Sequence, residues 1–143
     1  MNPLSPIAML IPLGGIALIM LAVWLTGGAR RVRLDRALVL RRLDEDMPDF
    51  VAAEISIDAD AATAIAATAD GGLLAVVFAA GDKVAVRPLS PLDIRRLLAQ
   101  PAPEGVRLVI ETGDFTRGRF ALRLSAAEAA RWQARLPLAA CAA

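Results

Sequence analysis

Asp58-Ala59-Asp60 opens as a calcium-binding loop opens, with two carboxylates one residue apart. The pattern then stops. The third ligand and the glycine that such a loop needs for its turn are missing, so the pair reads better as turn aspartates. Asp44, Glu45, Asp46 and Asp49 form a second acidic group, read as a solvated helix end, with a divalent site or an acidic docking face as alternatives. The chain has no histidine, which removes nucleophile–histidine catalysis. With one cysteine it also lacks the ligands of a zinc site and has no intrachain disulfide. That residue, Cys141, lies in an alanine-rich tail with no base beside it to draw out a thiolate. No glycine-rich phosphate loop is present. Four phenylalanines, two tryptophans and no tyrosine are too few for a surface that stacks nucleic-acid bases. The expectation is a protein that is not an enzyme and uses no cofactor, with no metal ligands, no small-molecule substrate and no nucleic-acid partner. A carboxylate-based enzyme is the catalytic alternative, because paired acids with shifted acidity are recognised only in three dimensions.

The net charge of +1 hides a strong segregation. Residues 30–42 carry six arginines and one aspartate, and residues 44–70 carry eight acids and no base. The basic block follows an uncharged run of twenty residues, Ile7 to Thr26. A helix of that length spans about 30 Å, the thickness of a hydrocarbon core. A secretory signal would have a basic start and a shorter apolar core, so the run predicts a stable single-span transmembrane helix instead. Arg30, Arg31, Arg33 and Arg36 follow it directly, and positive residues stay on the cytoplasmic side. This predicts an N-terminus outside, a cytoplasmic C-terminal domain and Trp24 at the interface. Alanine and arginine usage, with Lys83 the only lysine, points to a bacterium and hence to its inner membrane. Pro12 would kink the span, while Gly14 and Gly15 would open a groove for another helix.

Residues 35–46 read as a short helix capped by Asp35, with Val39, Leu43 and Met47 on one face. Its Arg36, Arg41 and Arg42 would face either anionic headgroups or solvent, depending on whether the helix lies on lipid or on the domain. Beyond Pro48 the period becomes two. Strands are expected at residues 53–57, 63–68, 73–79 and 83–87, the second of them also readable as helix, with Gly81-Asp82 as a glycine-first hairpin turn and Pro88 as a terminator. Residues 91–100 are either a helix started by Ser90-Pro91 or a strand, the strand being favoured. Val106, Leu108 and Ile110 alternate with Arg107 and Glu111, and Phe120, Leu122 and Leu124 alternate with Arg119 and Arg123. Ser125-Ala126-Ala127-Glu128 is a capping box, and Ala129, Trp132 and Leu136 form the apolar face of the helix it opens.

Up to seven short strands followed by a capped helix with an inward Trp132 resemble the pleckstrin-homology-like fold over about residues 52–136. The resemblance implies a bent antiparallel barrel closed by the C-terminal helix. A small sandwich or an unrelated helix-capped barrel is the competing reading. The family's lipid binding, which the resemblance places on basic residues around the loop between the first two strands, does not transfer, because that loop here holds Asp58 and Asp60, which repel phosphate. Protein-binding adaptors of that family are the use left open.

The expected fold class is therefore one N-terminal transmembrane helix plus a small α+β domain, an antiparallel barrel or sandwich capped by a C-terminal helix. Its parts are an anchor (1–29), a juxtamembrane basic segment with an amphipathic helix (30–50) and a mostly β domain (51–143). The expected function is a single-pass accessory or assembly subunit docking onto a multi-subunit integral membrane protein complex. Membrane and partner contacts are assigned to Pro12, Gly14, Gly15, Trp24, Arg30, Arg31, Arg33, Arg36, Arg41 and Arg42, and a partner surface to Phe115, Arg117, Arg119 and Arg123. Membrane lipids are the other expected contact, and an anionic-lipid scaffold is the alternative function.

Overall fold

The computed structural model describes residues 6–26, 31–113 and 118–136, with side chains from Met9 onward. The first element is a helix, α1 (Pro6–Leu25), with Pro12 inside it. The second, α2 (Arg36–Asp46), starts where Asp35 accepts a hydrogen bond from the Leu38 amide at 2.8 Å, the expected cap. Four strands follow as an antiparallel meander: β1 (Ala52–Ile57), β2 (Thr63–Thr68), β3 (Leu74–Ala80) and β4 (Lys83–Leu89). A second antiparallel sheet contains β5 (Ile94–Ala102), β6 (Gly105–Thr112) and β7 (Arg119–Leu124), and α3 (Ala126–Arg135) closes the chain order.

The two central strands of the first sheet, β2 and β3, are buried on both faces, which explains their unbroken apolar sequence. On β2 and β3, Ile65, Ala67, Leu74 and Val76 face the second sheet and α3, while Ala64, Ala66, Ala75 and Val77 face α2. The alanines leave room for the helix, whose Val39 and Leu43 are fully buried against them. The layers thus run α2, first sheet, second sheet. From the second sheet Leu108, Ile110, Phe120 and Leu122 enter the central core, where Phe120 meets Phe78 at 6.1 Å between ring centres.

The sheets also join at one corner. The buried carboxylate of Asp58 accepts the Arg123 amide at 2.5 Å, and the Ala59 amide donates to the Arg123 carbonyl at 3.1 Å. The segment before α2 is pinned as well, since the Leu34 amide donates to the Ala61 carbonyl at 2.7 Å and Val32 reaches the Gly81 carbonyl.

Three expectations change. The membrane-spanning anchor is overturned: among the described residues no helix is long and apolar enough to cross a membrane. The transmembrane part of the fold class, the single-pass topology, the outward N-terminus and the bacterial inner-membrane localisation fall with it. Pro88 does not end β4, which continues to Leu89, because β4 is an edge strand where a missing amide donor costs no ladder bond. Residues 91–100 divide: Pro91–Asp93 form one 3-10 turn boxed by Ser90 and Asp93, and the strand begins at Ile94.

Candidate interaction surfaces

α1 carries no charged residue, and its described large side chains are all exposed, from 52% at Leu21 to 75% at Ile11. A helix apolar on every face is stable only when something surrounds it. Gly14 and Gly15 have open space where a Cβ would stand, and Trp24 is 68% exposed. The basic segment that follows is mostly accounted for by the domain. Arg31, Arg33 and Arg36 are exposed, but Leu34 between them is buried. On α2, Arg41 and Arg42 both pair with Glu45, at 2.9 and 3.1 Å, and the apolar face is turned to the sheet. Of the two readings of this helix, packing on the domain is the one observed. Arg30, Phe115, Arg117 and Cys141 lie outside the described residues.

The outer face of the second sheet is more ordered than the sequence suggested. Pairing across the three strands gives the rows Arg96–Glu111–Arg119, Leu98–Val109–Ala121 and Gln100–Arg107–Arg123. Arg107, Arg119 and Arg123 therefore share one face, and Arg96 joins them. Sequence reading missed Arg96 because a bulge at Arg95 shifts the register, so β5 shows no simple alternation. Arg123 pairs with Asp60, which supplies the role of that aspartate.

A polar seam along β1 and α3 was also missed. Trp132 donates from Nε1 to Ser56 Oγ at 2.9 Å, and Ser56 donates to Glu128 at 3.3 Å. Glu54 holds both Arg131 and Arg135, at 3.1 and 3.0 Å, and Arg135 also reaches the carbonyls of Thr68 and Ala69 at the end of β2. Alternation in residues 53–57 signals a strand but does not say that its second face meets a helix. Among the described residues no group of three or more His, Cys, Asp or Glu is placed to hold a metal ion.

The Glu128 carboxyl is held below the ordinary glutamate range, chiefly by the Ser125 hydroxyl at 2.7 Å, with the Ser125 amide, Ser56 and Arg131 adding to the effect and partial burial opposing it. Asp70 is lowered in the same way by the Thr68 hydroxyl and then by the Gly72 amide. A carboxyl depressed in the folded state contributes stability that is present above its unfolded value and is lost as pH falls through its folded value. Urea midpoints taken from about pH 6 down to about pH 3 will fall, and Glu128→Gln will flatten that fall by removing one titrating cap. An unchanged acid slope in Glu128→Gln would show that the cap does not couple to folding.

Comparison with protein-family models, with curated proteins and with solved structures finds no match.

Proposed function

We propose that this protein is a non-catalytic accessory or assembly subunit that docks onto a larger protein complex through α1 and its β domain. The observation that carries this is the apolar surface of α1, exposed on every side. Each large apolar side chain covered by a partner contributes about 1.5–3 kcal/mol, so such a helix drives association strongly. A multi-subunit integral membrane protein complex is the partner class proposed, covering α1 at an apolar surface outside the hydrocarbon core. The non-catalytic part is supported by the acids themselves: Glu54, Asp58, Asp60, Asp70 and Glu128 each serve a fold-holding bond. The pleckstrin-homology-like resemblance belongs to the same proposal. Four- and three-stranded antiparallel sheets followed by a helix with a buried tryptophan support it, and protein-binding adaptors of that family agree with a docking role.

The test is a pull-down of the tagged full chain from cells lysed in mild detergent, beside the variant Leu18→Arg. One defined complex in stoichiometric amount is expected, with recovery lowered at least about tenfold by the buried charge. Recovery of the protein alone would overturn the reading. If that lone protein bound anionic vesicles in a salt-dependent way, the lipid-scaffold alternative would replace it.

A further inference from the structure

We propose that the outer face of the second sheet, β5-β6-β7, binds an acidic segment of a protein partner, with carboxylates gripped at its two ends. The face carries Arg96, Arg107, Arg119 and Arg123 against one acid of its own, Glu111. Arg107 stands directly opposite Arg123 across the β6–β7 ladder. Like charges in that position destabilise a sheet, so the fold itself gains nothing from the pairing. Arg123 is balanced by Asp60, but Arg96, Arg107 and Arg119 have no ion-pair partner among the described residues.

The layer order sharpens this. Asp44, Asp46 and Asp49, all exposed, belong to α2 and the turn after it, on the far side of the first sheet. These three acids therefore give no counter-charge to Arg96, Arg107 and Arg119. Between its charged rows lies the row Leu98–Val109–Ala121, in which Val109 is fully buried and Leu98 and Ala121 are half-buried, so the charged rows are what the face presents. The charged rows stand four residues apart along β6, about 13 Å at strand rise. An extended segment with acids four residues apart has the same spacing, so it can pair both rows. Arginine suits this task, because its planar fork grips a carboxylate through two parallel hydrogen bonds. This inference does not rest on the role of α1.

The test uses the full chain in mild detergent and a fluorescein-labelled twelve-residue peptide of glutamate and serine, with the glutamates four residues apart, read by anisotropy at low salt. The pair Arg107→Gln and Arg119→Gln, made together, should weaken binding at least tenfold. Glu111→Gln should tighten it by about two- to threefold, because it removes a repelling carboxylate that stands between Arg96 and Arg119. Lys83→Gln, on β4 of the other sheet, should leave affinity unchanged, and thermal melts report whether each variant is folded. A scrambled peptide of equal composition should bind more weakly. No binding by the wild type at low salt, or equal binding by the folded double variant, would overturn the proposal. So would anionic vesicles competing for the same arginines while the peptide does not bind. Peptide binding retained by Leu18→Arg would separate this site from the docking of α1.

Discussion

Trp132→Ala will lower the stability of the domain by about 3–5 kcal/mol, the largest loss of any single truncation in the central core. The indole is fully buried and packs in a cluster with Ile65, Leu74, Ile94, Leu108, Leu122 and Leu124, which come from both sheets. Removing it leaves a cavity at the meeting point of the sheets and α3, lined by strands whose backbones are tied in ladders and cannot collapse inward. It also takes away the donor that Ser56 accepts from. Trp132→Phe separates the two effects. It keeps most of the ring volume but deletes the N–H, and should cost about 1–2 kcal/mol. The measurement is urea unfolding followed by far-UV circular dichroism, a probe that does not need the tryptophan. Domains of this size have about 5–15 kcal/mol in total, so the alanine variant should already unfold at low urea. A loss below about 1 kcal/mol would show that the indole does not hold the sheets together.

Gly105→Ala will cost at least about 2 kcal/mol although it adds one methyl group. Gly105 opens β6 with φ +106, and a Cβ there would lie 2.3 Å from the carbonyl oxygen of Leu124, well inside contact distance. The obstacle is backbone, at the end of β7 where the chain turns into α3, so it cannot swing aside. Gly81 is the control. It also has a positive φ, +66, in the β3–β4 turn, but has nothing within 4 Å of the Cβ position. Gly81→Ala should therefore cost only the left-handed backbone penalty, about 1 kcal/mol. The order Gly105→Ala worse than Gly81→Ala, read as urea midpoints, is the expected result. Equal midpoints would mean that the close approach to Leu124 is relieved without cost.

Local signals carried much of the fold into the sequence. The Asp35 cap, the Ser125–Glu128 capping box and the Gly81-Asp82 turn each depend on a few adjacent residues, and each is found where its residues predict it. The alternation in residues 119–124 was legible because one face of β7 is more open to solvent than the other, whereas on β6 Val109 is buried as fully as Leu108 and Ile110. The anchor is different. Its prediction was built on an uncharged run, and such a run measures hydropathy without stating what surrounds the helix.

What the sequence determined by itself was therefore the set of elements and their turns, the segregation of charge, and the absence of histidine. Those follow from residue type and from spacing over three to five positions. The tertiary structure alone decided that α2 covers the first sheet, that Asp58 and Asp60 are tied to Arg123, that Glu54 and Ser56 meet α3, and that Arg96 joins three arginines from the last hairpin. Each of these joins residues far apart in the chain through sheet register and layer order. Such pairings are set by how the apolar faces pack together, and no local pattern encodes them.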